Sequence, residues 1–143
     1  MRVWRVCRRP FAELSGEGAR LYGGRWNSPG RSMVYAAESA ALAVLEVRVH
    51  LDLDWRVLPD DCVLMAIETD DLVAETLAEA PADPRAAGDK WLASGRSALL
   101  RAPSLIVPES ANVLVNPTHR DAARLAVASI RAFAFDARLW LSP

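Results

Sequence analysis

A small set of polar side chains stands in this chain where a purely structural role fits poorly. Arg20, Tyr22, Arg25 and Asn27 lie in a glycine-rich stretch, and Tyr35 interrupts an apolar run. Glu46 sits at the edge of a helical apolar stripe, with His50 four residues further on. Ser104 separates Pro103 from an apolar triplet, while Asn112 and Asn116 flank a second apolar segment. Each has an ordinary explanation when taken alone. A carboxylate beside a core stripe is often solvated, a strand tyrosine packs, and asparagine beside proline makes turns. The chemistry these residue types leave open is local anion binding, because arginine presents a planar fork suited to phosphate.

Several other chemistries are excluded by spacing. Two histidines and two cysteines at scattered positions give no zinc pattern. Gly23-Gly24-Arg25-Trp26 is neither a phosphate loop nor a dinucleotide fingerprint, since no glycine-rich turn opens a helix after a strand. No serine lies in a nucleophile elbow. Neither Cys7 nor Cys62 has a histidine nearby in sequence for cysteine catalysis.

The elements that must position these residues follow from pattern. Arg2–Val6 reads as a short strand. Residues 15–31 hold five of the seven glycines and read as one long loop, a feature more often functional than incidental. Met33–Ala36 reads as a buried strand. The clearest helix runs from about Ser39 to Leu51, capped by Glu38 or Ser39, with Ala41, Leu42, Leu45 and Val49 as its core stripe. Cys62–Ile67 reads as a strand. Asp83-Pro84 opens a second helix and Gly95 closes it. Leu105–Val107 and Val113–Val115 read as two more strands. Beyond Thr118 the pattern favours a helical turn, then a strand ending in Ala132-Phe133-Ala134-Phe135. Short strands interleaved with a few helices, without strict alternation, predict a single α+β domain over residues 1–143.

Composition agrees. The chain has 143 residues, 52% hydrophobic and 24% charged, with five tryptophans, which is ample material for a core. No apolar run is long enough to span a membrane, and the start lacks a secretion signal. Two cysteines make no disulfide framework. The expectation is a soluble, cytoplasmic protein without membrane contact. A formal net charge of −1 argues against a broad surface for nucleic acid. The charge is nonetheless segregated: residues 1–31 hold seven arginines against two glutamates.

In order along the chain, these pieces carry a resemblance. The run from Ser15 to Gly30, SGEGARLYGGRWNSPG, resembles the signature loop of the RES domain family. Later segments match as well: Val34-Tyr35-Ala36 with Glu38-Ser39, Ala43-Val44-Leu45-Glu46-Val47 with His50, and Gly88-Asp89-Lys90-Trp91-Leu92. They continue through Pro103-Ser104, Val107-Pro108-Glu109, Asn112 to Pro117 with His119, and Phe135 to Trp140. Ala102 stands where valine is expected, a small departure.

The resemblance implies a mixed, largely antiparallel β core like that of ADP-ribosyltransferases. It implies the toxin half of a toxin–antitoxin pair, with a DNA-contacting Xre-like antitoxin as partner. It further implies depletion of NAD by cleavage of the nicotinamide–ribose bond, with water or inorganic phosphate as acceptor. NAD is then substrate, and no cofactor or metal is expected. By motif match the functional residues are Arg25, Tyr35, Glu46 and Ser104, with Arg20, Trp26 and Asn112 as further candidates for binding the nucleotide. Assembly into a homo-oligomer is left open.

Those residue types suit the implied reaction. Nicotinamide departs neutral from a cationic precursor, so it needs no general acid. One carboxylate, Glu46, can hold ribose hydroxyls and place negative charge beside the ribosyl cation. Arg25 suits a pyrophosphate, Tyr35 offers an aromatic face and a hydroxyl, and Ser104 a hydrogen bond. Two alternatives remain: an ADP-ribosyltransferase that modifies a protein, and a non-catalytic binding module. The intact set of four argues against the second.

Overall fold

A computed structural model describes residues 1–140; the last three residues of the single-domain reading lie outside the described ones. In chain order the elements are β1 (Arg2–Arg8), α1 (Glu17–Tyr22), β2 (Val34–Ala37), α2 (Ala40–His50), β3 (Cys62–Glu68) and β4 (Glu75–Thr76). They continue with α3 (Pro84–Ser94), β5 (Leu99–Pro103), β6 (Ala111–Val115) and β7 (Ala126–Ala132). The seven strands form one sheet in the order β4-β5-β6-β2-β1-β3-β7. Among the described residues only the β4–β5 pair is parallel, so the α+β class with a largely antiparallel core holds. Among the described residues no helix is long and apolar enough to cross a membrane.

The sheet is nearly two sheets. On one side β1 pairs with β3 along its whole length, from Arg2 opposite Glu68 to Arg8 opposite Cys62. On the other, β2 pairs with β6 from Val34 opposite Val115 to Ala37 opposite Asn112. Between the halves β1 and β2 share a single paired position, Trp4 opposite Ala37. The strands therefore part after one contact and leave a gap.

Alternation along each strand explains what covers each face. Val3, Val34, Val63, Met65, Ile67, Leu99, Val113 and Val115 bury one continuous face. The opposite face carries two separate clusters. Trp26, Met33, Trp91, Leu100, Ala102 and Leu114 pack around α3. Val6, Ala37, Leu42, Ala43 and Leu64 pack around α2, with Phe133 and Phe135 closing over them. The gap between β1 and β2 lies between these clusters.

Both long helices start and stop as their sequences direct. The Ser39 hydroxyl accepts from the Leu42 amide at the start of α2. Asp83 does the same for the Ala86 amide of α3, and Gly95 closes that helix in the left-handed conformation. The buried face of α2 differs from the expected stripe: Leu42 and Ala43 are buried, whereas Ala41 and Val49 are exposed and Leu45 half-buried. Apolar residues lie on every side of this helix, so spacing alone could not orient it.

Three further expectations are corrected. The glycine-rich stretch is not loop throughout, because α1 forms inside it between Gly16 and Gly23. Leu105–Val107 is not a strand. The Ser104 hydroxyl accepts from the amides of Ile106 and Val107 and turns the chain there, and the strand is β5, just before it. The last strand ends at Ala132, so the Phe133 and Phe135 rings are free to meet edge-on at 5.0 Å over α2.

Candidate functional site

Where β1 and β2 part, a cleft of about 540 Å³ opens, within the usual range for a small-molecule site. Its walls come from both halves of the sheet and both sides of the gap. Trp4, Arg5 and Val6 of β1 face Tyr35 and Ala37 of β2, with Asn112 and Leu114 of β6 beyond. Glu46, Val47 and His50 of α2 form one flank, and Gly24, Arg25 and Trp26 of the loop after α1 form the other.

The α2 flank presents a preset carboxylate. Glu46 Oε1 accepts from Ser104 Oγ at 2.6 Å and from Asn112 Nδ2 at 3.0 Å. The Ser104 oxygen already accepts from two backbone amides, so its own hydrogen is committed to Glu46. Both neighbours thus donate to one oxygen of the carboxylate. The other oxygen has no hydrogen-bond partner among the described residues, and Glu46 lines the cleft. Ser104 itself is 1% exposed and is not part of the cleft wall. Its route to a ligand runs through Glu46, not through direct contact.

The opposite flank presents an arginine on a closed turn. Gly24 and Asn27 bridge in antiparallel fashion around Arg25 and Trp26. The Tyr35 hydroxyl accepts from the Trp26 amide at 2.9 Å and donates to Asn27 Oδ1 at 2.6 Å. Asn27 is fully buried, and its Nδ2 donates to the carbonyls of Ala19, Ser28 and Arg31. Residue 24 must be glycine, because a Cβ there would lie 2.5 Å from the Tyr35 hydroxyl. Arg25 is exposed and makes no hydrogen bond or ion pair with any described residue. Its fork is open to an anion.

These placements refine the residue roles. The Tyr35 hydroxyl is spent on the loop, so what it offers a ligand is its ring. Burial pushes its pKa up to about 12, which keeps the hydroxyl neutral. Trp26 is 5% exposed and packs in the cluster around α3, and the residue also contributes to the cleft wall. Arg20 is a correction. It pairs with Glu17 one turn earlier, out on the surface, and does not line the cleft. Burial also pushes the Cys7 thiol up, against the opposing pull of Arg5, so this cleft residue stays a thiol.

Sequence reasoning missed Arg5. Its Nη1 donates to the Tyr35 carbonyl at 3.1 Å, across the gap where a strand ladder is missing. Its Nε is buried without a hydrogen-bond partner, a state that costs free energy unless something else meets it. The signal was an arginine between Trp4 and Val6 in a strand that is otherwise half apolar. Among the described residues no three His, Cys, Asp or Glu side chains group as metal ligands.

Comparison with known proteins adds four findings. The RES domain family model matches residues 2–136. The chain is 36% identical over 148 residues to "Toxin Res" of Pseudomonas putida, covering 98% of this chain and 100% of that protein. It is 40% identical over 141 residues to "Prs ADP-ribosylating toxin" of a Sphingobium species, covering 89% of this chain and 86% of that one. In three dimensions it superposes on a chain from the crystal structure of the M. tuberculosis MbcT-MbcA toxin–antitoxin complex. The TM-score is 0.74 at 19% identity, over 93% of this chain and 84% of the other. That last likeness is one of fold.

Proposed function

The chain belongs to the RES domain family, and from that premise we propose that it is a toxin that consumes NAD by breaking its nicotinamide–ribose bond. The observation that carries the reading is the cleft with a fixed carboxylate on one flank and an unpaired arginine fork on the other. NAD has the matching chemistry: a pyrophosphate for the fork and a sugar centre that turns cationic as nicotinamide leaves.

In this reading the electron pair of the C–N bond departs with nicotinamide, which leaves neutral. Glu46 needs to give up no proton. Its free oxygen places negative charge at the ribosyl cation, and Ser104 and Asn112 hold that oxygen in place through its partner. Arg25 takes the pyrophosphate, and the Tyr35 ring provides a flat wall. Water, which releases a proton to solvent, or inorganic phosphate then forms the new bond at the vacated carbon. The protein acts in the cytoplasm, where NAD is available, and an Xre-like antitoxin restrains it.

A second reading shares this cleft but passes ADP-ribose to a protein. The name of the Sphingobium relative favours it. One experiment separates them. Expressed without antitoxin, the chain should arrest bacterial growth, with the cellular NAD pool falling before growth stops. Arrest at an unchanged NAD level, with a protein acquiring the mass of ADP-ribose, would replace the first reading by the second. Absence of arrest by folded protein would remove both.

A further inference from the structure

The chemistry above makes no use of the segment Gly88-Asp89-Lys90-Trp91, yet α3 meets the arginine loop at three adjacent points. Residues 85, 88 and 89 share one helical face. Arg85 donates to the Gly24 carbonyl through Nε at 3.3 Å and Nη2 at 3.2 Å. At Gly88 the Trp26 carbonyl oxygen sits only 1.8 Å from where a Cβ would be, so the loop backbone rests directly on the helix. Asp89 accepts from the Ser28 amide at 2.9 Å through one oxygen and from the Ser28 hydroxyl at 2.5 Å through the other. Trp91, 2% exposed, anchors the helix in the core and donates its Nε1 to Ser97 Oγ at 2.9 Å.

The residues touched are Gly24, Trp26 and Ser28, which bracket Arg25. A loop without a ladder of its own must satisfy its backbone polar groups elsewhere, and here a neighbouring helix does so. We propose that α3 is a splint for Arg25 and that Asp89 is a positioning residue for anion binding, acting through the loop and not on the substrate. This rests on the reading that Arg25 meets a pyrophosphate. A long side chain searches many rotamers, so fixing its base narrows where the fork can be. Burial raises the Asp89 carboxyl, but the Ser28 hydrogen bonds and the nearby Arg31 and Arg85 charges outweigh it, and its pKa lies below the ordinary range. The carboxylate is therefore ionised across the physiological range and accepts both Ser28 bonds.

The test compares Asp89→Ala with Asp89→Asn. Alanine removes both contacts to Ser28, whereas asparagine can accept from the amide and donate to the hydroxyl. Asp89→Ala should raise KM for NAD about tenfold with kcat within about threefold, and Asp89→Asn should stay within about threefold in both. Hydrogen exchange at the Gly24, Trp26 and Ser28 amides should accelerate about tenfold or more in the alanine variant alone. A KM for Asp89→Ala within twofold of wild type, or a fall in kcat with KM unchanged, overturns the proposal. Should Asp89→Ala not fold, Ser28→Ala removes only the hydroxyl contact and should raise KM by about threefold; no rise overturns it equally. Wild-type protein that releases no nicotinamide sinks the NAD reading instead. The exchange measurement still decides whether Asp89 holds the loop, and unchanged exchange in a folded variant ends the proposal.

Discussion

The two flanks of the cleft are built by opposite means. On the α2 flank the backbone is ordinary helix, and the functional side chain is fixed by other side chains: Ser104 and Asn112 hold one oxygen of Glu46. On the loop flank the side chain of Arg25 is held by nothing described, and the backbone around it is fixed by Tyr35, Asn27 and α3. The contrast suits what each would have to meet in the proposed reaction. A carboxylate that stabilises a short-lived charge works best preorganised, since reorganisation at the moment of reaction raises the barrier. An arginine that grips a ground-state pyrophosphate needs a placed base and a free fork. Changes at Glu46 should therefore appear in turnover, and changes on the loop flank in binding.

The largest effect is expected at Glu46. Replacement by glutamine keeps size and hydrogen-bonding capacity while removing the charge. Glu46→Gln should bind NAD within a few-fold of wild type yet turn over more slowly by ~10²-fold or more, the usual scale for losing one electrostatic stabiliser. Glutamine has a helix propensity close to that of glutamate, so thermal stability should be nearly unchanged. Titration calorimetry beside steady-state kinetics checks the division. Equal losses in binding and turnover would erase the contrast between the flanks.

Arg25→Lys comes next. Lysine keeps the charge and loses the fork, so KM for NAD should rise about tenfold while kcat moves much less. A fall in Tm matching the loss of affinity would mean that Arg25 only braces the loop.

The outline of both flanks was legible in the sequence, and their connections were not. Ser39 and the Asp83-Pro84…Gly95 pair place α2 and α3 by local chemistry alone, and α2 brings Glu46 to the cleft. Which face of α2 is buried could not be read, because its apolar residues surround it. The Ser104–Glu46 bond joins residues 58 apart, and the Ser28–Asp89 pair residues 61 apart; neither leaves a periodic trace. Arg5 was hidden for a different reason. Its position follows from β1 and β2 pairing at a single place, and strand pairing is set by the whole sheet and not by either strand's own pattern.

A last effect, on stability well above neutral pH, sharpens the loop side. Burial raises Tyr35 from 10.0 to about 12, so the folded state binds that proton more tightly than the unfolded chain does. The stabilisation is complete below pH 10 and is lost as pH rises from there through 12, a change of about 2 kcal/mol. Thermal unfolding across this interval should show that extra loss in wild-type protein and not in Tyr35→Phe. Identical slopes would mean that the hydroxyl is not buried against the loop.

What the purified chain does to NAD tests the assignment of the cleft most directly. Wild-type protein, free of any antitoxin, is incubated with NAD with and without inorganic phosphate, and the products are identified by mass. Free nicotinamide should appear with an equal amount of ADP-ribose or its phosphate adduct, and Glu46→Gln should yield at least ~10²-fold less in the same time. NAD left intact by folded wild-type protein, or cleaved as fast by Glu46→Gln, would contradict the assignment of this cleft to glycosidic cleavage.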